Sequence, residues 1–182
     1  FILIFLATDL SLTQFYLFKF YYKKLEKQYI LDLKNRISNK DYKYTFKEKV
    51  SFISNYMGHE YLINTNNLGF RDYKIRDLEK KKNYTIVIGD SFVEGVALQY
   101  EDTLVSHLNN KIKKNNIKNY EFLNSGVSSY SPYIYKRKVI SILEKNTWLK
   151  TSSVIILLDK SDVPDEIYYF DPIQRPEYFP IE

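Results

Sequence analysis

Cysteine is absent from the 182 residues, so neither a disulfide framework nor a thiolate-ligated metal site can be built. Histidine is scarce: His59 and His107 are the only two imidazoles available for proton transfer. No internal sequence repeat is visible, and nothing has the alternating ligands and turn glycine of a calcium loop. The acidic group Asp159, Asp162, Asp165 and Glu166 reads as a polar loop following a strand. The formal net charge of +5 does not make a nucleic-acid footprint, because the lysines are dispersed over Lys23 to Lys27, Lys40 to Lys49, Lys80 to Lys82 and Lys111 to Lys118. No nucleic-acid partner and no cofactor are expected.

What is present suits a globular domain with an appendage, since 45% hydrophobic and 27% charged residues are ordinary for a packed core with a solvated surface. The appendage is the apolar run Phe1 to Phe18, close to the roughly 20 residues that cross a bilayer. Aromatics and lysines follow at Lys19 to Lys24, as at a membrane interface, and no small-residue cleavage site is evident. Residues 1–24 are therefore expected to be a hydrophobic helix anchoring the chain, although Asp9 at the centre of the span would cost about 3 kcal/mol. Residues 25–56, rich in lysine and tyrosine with Ile30, Leu33 and Ile37 at helical spacing, predict a juxtamembrane helix and linker. The domain proper is expected over 57–182.

Within that domain the run Thr85-Ile-Val-Ile-Gly-Asp-Ser-Phe92 reads as a buried parallel strand that stops abruptly in polar residues. Open α/β sheets place their chemistry just beyond such strand ends, so Ser91 sits where a nucleophile would. Tyr120-Glu-Phe-Leu-Asn-Ser-Gly126 repeats the pattern, and Ser153-Val-Ile-Ile-Leu-Leu-Asp159 repeats it again before Lys160-Ser-Asp162. Ser91, Gly126 and Ser161 are spaced evenly, 35 residues apart, which suits successive βαβ units. Leu104, Val105, Leu108 and Ile112 predict a first crossover helix over 101–114, with His107 beside its apolar stripe. Val139, Ile140 and Leu143 predict a second over 132–145, opened by Pro132. Pro164, Pro172, Pro176 and Pro180 predict a tail that is mostly loop. A structural reading of Ser91 competes with the chemical one, because Ser91-Phe-Val-Glu94 also fits the S-x-x-E capping box.

These residues resemble the SGNH (GDSL-type) hydrolases. Gly89-Asp-Ser-Phe92 looks like the family's first block, and Asn124-Ser-Gly126 is similar to the second, whose glycine supplies a backbone N–H to the oxyanion hole. Asn64-Thr-Asn-Asn-Leu-Gly-Phe-Arg-Asp72 is similar to the N-x-x-G-F-R-D lead-in of membrane-anchored bacterial members. The resemblance covers about residues 60–170 and implies an α/β fold, a three-layer flavodoxin-like parallel sheet. It also implies ester hydrolysis through an acyl-enzyme on Ser91, with an oxyanion hole from the N–H groups of Ser91 and Gly126 and a third donor at Ser161.

Two departures accompany the matches. The third block, normally G-x-N-D, here reads Asp159-Lys-Ser-Asp162, so a hydroxyl at Ser161 replaces an amide. The carboxyl-terminal D-x-x-H that supplies the base is missing, and neither His59 nor His107 has that context. With three clear strands where a doubly wound sheet typically has five, the chain is expected to be a fragment incomplete at its carboxyl end, its histidine lying beyond residue 182. The expected substrate is an ester or acetylated carbohydrate, met by an extracytoplasmic or periplasmic domain held at the membrane. An O-acyltransferase acting on polysaccharide, or a catalytically silent domain binding glycans or a partner, are the alternatives.

Overall fold

The computed structural model describes residues 34–170, together with Thr13 and Tyr16. The chain divides into two compact units at Lys34, and the second, from Asn35, holds everything described below. The expected anchor therefore lies essentially outside the described residues, as do Pro172, Pro176 and Pro180. Among the described residues no helix is long and apolar enough to cross a membrane.

The fold is α/β, built on a mixed six-stranded sheet. Two short strands, β1 (Arg36–Asn39) and β2 (Lys43–Phe46), first pair as a separate antiparallel hairpin. Next come β3 (Ser51–Tyr56), β4 (His59–Thr65) and β5 (Arg71–Asp72), then β6 (Asn83–Ile88), β7 (Tyr120–Asn124) and β8 (Lys150–Ile156). The order across the sheet is β3-β4-β5-β7-β6-β8. The lead-in strands run antiparallel, and β7, β6 and β8 are parallel neighbours.

Residues 36–56 are thus not the helix and linker that the spacing of Ile30, Leu33 and Ile37 predicted. Lys43 to Phe46 and Ser51 to Tyr56 are rich in aromatic and β-branched residues that favour a pleated strand, and Met57-Gly58 turns β3 back onto β4 with both φ angles positive. Tyr44 and Phe46 enter the core beside Tyr61, Ile63 and Ile88. Gly69 is required here: a Cβ would stand 2.3 Å from the Phe46 carbonyl oxygen, and its φ is +68°. The domain opens near Asn35 rather than at Met57.

β6 is the central parallel strand, and Tyr84 to Ile88 are completely buried. Its alternation sends side chains to two helical layers. Val87 packs with Val93 and with Val105 of α2 (Leu104–Lys114), whereas Ile86 packs with Ile142 of α3 (Pro132–Lys145). A hydroxyl tie crosses the three parallel strands, with Thr85 Oγ1 bonded to the Tyr120 hydroxyl and to Ser153 Oγ at 2.6 Å. The α2 helix starts at Leu104 rather than 101, because Tyr100–Asp102 form a 3-10 turn and Thr103 caps the helix through its side chain. The helix at 132–145 has the predicted bounds, with Pro132 in its first turn. Residues Asp162–Phe170 form a helix, α4, where mostly loop was expected; Pro164 falls in the first turn, where its missing N–H has no intrahelical partner to lose. On β8, Ile156 and Leu158 just beyond it are 50% and 64% exposed, although the strand reads as a buried apolar run.

Candidate active site

The carboxyl ends of β6 and β8 meet at a single carboxylate. Asp90 follows β6, is almost fully buried, and caps the one-turn helix α1 (Ser91–Glu94) by accepting the Phe92 N–H at 2.9 Å. The Ser91 hydroxyl donates to Asp90 Oδ2 at 3.3 Å, and the Ser161 hydroxyl reaches the same oxygen at 3.4 Å. Ser91 and Ser161, 70 residues apart in sequence, are therefore neighbours across one acceptor. The capping box does not form. Asp90 caps in place of Ser91, while Glu94 accepts the Ser128 N–H and faces Arg36 at 3.4 Å. Ser91, half-buried, is left with its hydroxyl on the rim.

Gly126 sits differently from the expectation. It is buried beneath α1: a Cβ would lie 2.4 Å from the Glu94 nitrogen and 2.7 Å from the Val93 carbonyl carbon. Close approach of two backbones explains the glycine. Its N–H is committed, donating to Asn124 Oδ1 at 3.1 Å, while Asn124 Nδ2 donates to the Val93 carbonyl at 2.8 Å. The loop's other N–H groups can be followed in turn. Ser125 donates to Val87, Val127 to Gly89 and Ser128 to Glu94. The first N–H of the loop without a partner among the described residues is that of Ser129, an exposed residue held left-handed at φ +60°. Sequence reading missed Ser129; its place in the run of turn-forming residues just before Pro132 was the available signal.

The surroundings are acidic. Carboxylate oxygens of Asp90, Asp159 and Asp162 lie within 4.8 Å of one another, the only such trio of potential metal ligands found among the described residues. Both oxygens of Asp162 are engaged, by the Tyr135 hydroxyl at 2.6 Å and the Asp159 N–H at 2.9 Å. Burial, reinforced by the charges of Asp159 and Asp162, raises the Asp90 carboxyl above its ordinary value, against the pull of the Phe92 N–H. Asp159 is held low, chiefly by the Ser161 hydroxyl at 2.6 Å. Burial and the bond to Asp162 raise the Tyr135 phenol. No hydrogen bond joins either histidine to Ser91: His59 is exposed on β4, and His107 is exposed on α2.

The lead-in motif braces the site rather than lining it. Asn66 accepts the Leu68 N–H at 2.9 Å and donates to Asp72 at 3.1 Å, closing the turn that delivers Arg71. The buried Arg71 guanidinium donates to the carbonyls of Glu94, Gly95 and Leu98 at 2.8, 2.6 and 2.6 Å, and so clamps the loop leaving α1. Asp72 binds Arg76, which also pairs with Glu121. A cavity of about 560 Å³, lined in part by Tyr73, Tyr100 and Tyr120, includes none of Ser91, Gly126 or Ser161.

Comparison of the chain with protein-family models, with characterised proteins and with solved structures gave no match.

Proposed function

We propose that this chain carries the nucleophile of a serine-dependent ester hydrolase with the three-layer, flavodoxin-like architecture of the SGNH type. The order β7-β6-β8 supports the architecture, because it reproduces the 2-1-3 beginning of a flavodoxin-like sheet with helices on both faces. The observation that carries the function is the position of Ser91. It opens α1 three residues beyond Ile88, the last residue of the central strand, and is half-buried, with its hydroxyl donating to Asp90 Oδ2, the acceptor that the Ser161 hydroxyl also reaches from the third strand end.

In this reading Ser91 Oγ attacks an ester carbonyl, its proton passes to a base, and the tetrahedral oxyanion collapses with loss of the alcohol, which takes the proton back. Water then hydrolyses the acyl-enzyme. The base in this reading is a histidine other than His59 and His107, and the carboxylates of Asp90, Asp159 and Asp162 provide the negative field in which an imidazolium is stable. The oxyanion donor in this reading is the N–H of Ser91, at a helix start where it has no intrahelical acceptor; Gly126 serves as the close-packing residue beneath α1. The substrate class is an ester or acetylated carbohydrate at a membrane-associated site.

A catalytically silent binding domain is the second reading. It is favoured by one observation, that the Gly126 N–H and the Ser161 hydroxyl are both engaged by internal acceptors. Labelling with a fluorophosphonate separates the two. The full-length protein should be labelled at Ser91 and should turn over acetyl esters, both lost in Ser91→Ala; equal reactivity of parent and variant would remove the nucleophile assignment.

A further inference from the structure

Lys138 lies on α3 with no exposed surface, unused by the chemistry above. Its ammonium stands 4.9 to 5.8 Å from the ring centroids of Tyr130, Phe70 and Tyr42, and makes one hydrogen bond, to the Ser125 carbonyl at 3.0 Å. That carbonyl belongs to the same peptide group as the Gly126 N–H. A continuous relay follows: Lys138 Nζ to the Ser125–Gly126 peptide, that peptide to Asn124 Oδ1, and Asn124 Nδ2 to the Val93 carbonyl of α1. Each link polarises the next, and a charged donor at its head strengthens the whole.

We infer that Lys138 is a positioning residue, whose ammonium locks the turn Asn124 to Gly126 onto the helix bearing Ser91 and thereby holds the nucleophile in place. The inference rests on the ester-hydrolase reading for its functional half and on the relay alone for its structural half. Burial draws Lys138 down to about 7. The charged groups that act on it are Glu94 of α1, which favours the ammonium, and Arg36 of β1, which opposes it; the phenols of Tyr42 and Tyr130 are held above their ordinary values by burial. The lock is therefore charged below neutral pH and weakened above it.

The test uses the full-length protein, with Lys138→Met to remove charge and donor and Lys138→Gln to keep a donor without charge. The amide signals of Asn124 and Gly126 are followed against pH by nuclear magnetic resonance, and the rate of fluorophosphonate labelling at Ser91 is measured in parallel. The amides of the parent should titrate with a midpoint near 7 and those of Lys138→Met should not. Labelling should fall by roughly 10- to 100-fold in folded Lys138→Met, the scale of a small misplacement of catalytic groups, with partial recovery in Lys138→Gln. A folded variant that labels like the parent overturns the positioning role. If the parent is never labelled, the hydrolase reading fails while the amide titration still decides the relay; should neither variant fold, amides in the parent that do not titrate between pH 6 and 9 overturn it.

Discussion

Replacing Lys138 with methionine removes a charge whose burial the rest of the domain must tolerate, and its effect on stability has a sign fixed by linkage. In the unfolded chain this lysine titrates at its ordinary 10.5, and in the folded domain at about 7. Below pH 7 both states are protonated and folding bears the whole cost of burying the ammonium. Between 7 and 10.5 the unfolded state binds the proton that the native state has released, so stability rises with pH; above 10.5 both are neutral and the cost is gone. At 1.36 kcal/mol per pH unit the interval corresponds to ~5 kcal/mol. Methionine fills nearly the same volume without charge and gives up one hydrogen bond to a carbonyl, worth about 1–2 kcal/mol. The variant should therefore be more stable than the parent at pH 6, by about 3 kcal/mol on this arithmetic, and should lose that advantage by pH 10. Lys43, which burial lowers to about 8, titrates in the same window with the same sign, but it is common to both proteins and drops out of their difference. Urea unfolding of parent and variant at pH 6, 8 and 10 measures it. A parent whose stability relative to Lys138→Met stays flat, or falls, between pH 7 and 10 would refute the buried-charge account.

Gly126→Ala should cost about 3 kcal/mol or more, because its Cβ meets backbone atoms that cannot rotate aside, lowering the melting temperature by roughly 6–12 °C. In Arg71→Lys a single ammonium cannot bond the carbonyls of Glu94, Gly95 and Leu98 together; a loss of about 3 kcal/mol and faster proteolytic cleavage between Gly95 and Gln99 are expected, and unchanged cleavage would count against the clamp. Ser161→Asn restores an amide donor at the third strand end and should raise the rate of ester turnover about 10-fold if that position completes the oxyanion hole; an unchanged rate argues that it does not.

The sequence made the parallel core legible because β6, β7 and β8 are short apolar runs ending in turn residues, and α3 because its proline and apolar spacing both mark the same start. The lead-in hairpins were not legible. Ile37 continued a helical spacing from Ile30 and Leu33, and nothing local reveals that Tyr44 and Phe46 find partners as distant as Ile88 and Tyr130. At the site, the closeness of Ser91 and Ser161 follows from β8 lying beside β6, whereas the even spacing told only of successive βαβ units. The commitment of the Gly126 N–H was not, since it depends on which way the Asn124 amide turns. Ser129 lies in a run of turn-forming residues, Ser128 to Ser131, but which of them turns left-handed carries no mark in sequence that a glycine would supply.

The Arg71 clamp also sets an order of events. Its guanidinium reaches 23 to 27 residues forward, so during synthesis the lead-in strands leave the ribosome before the segment they must grip. Once Glu94 to Leu98 emerge, their carbonyls have a waiting partner, whereas the bond from Asn124 to the Val93 carbonyl must await the synthesis of β7. Trimming the gene to begin at Met57 would keep Arg71 yet strip Tyr44 and Phe46 from the cluster that they form with Tyr61, Ile63 and Ile88, and such a shortened product should accumulate as insoluble protein.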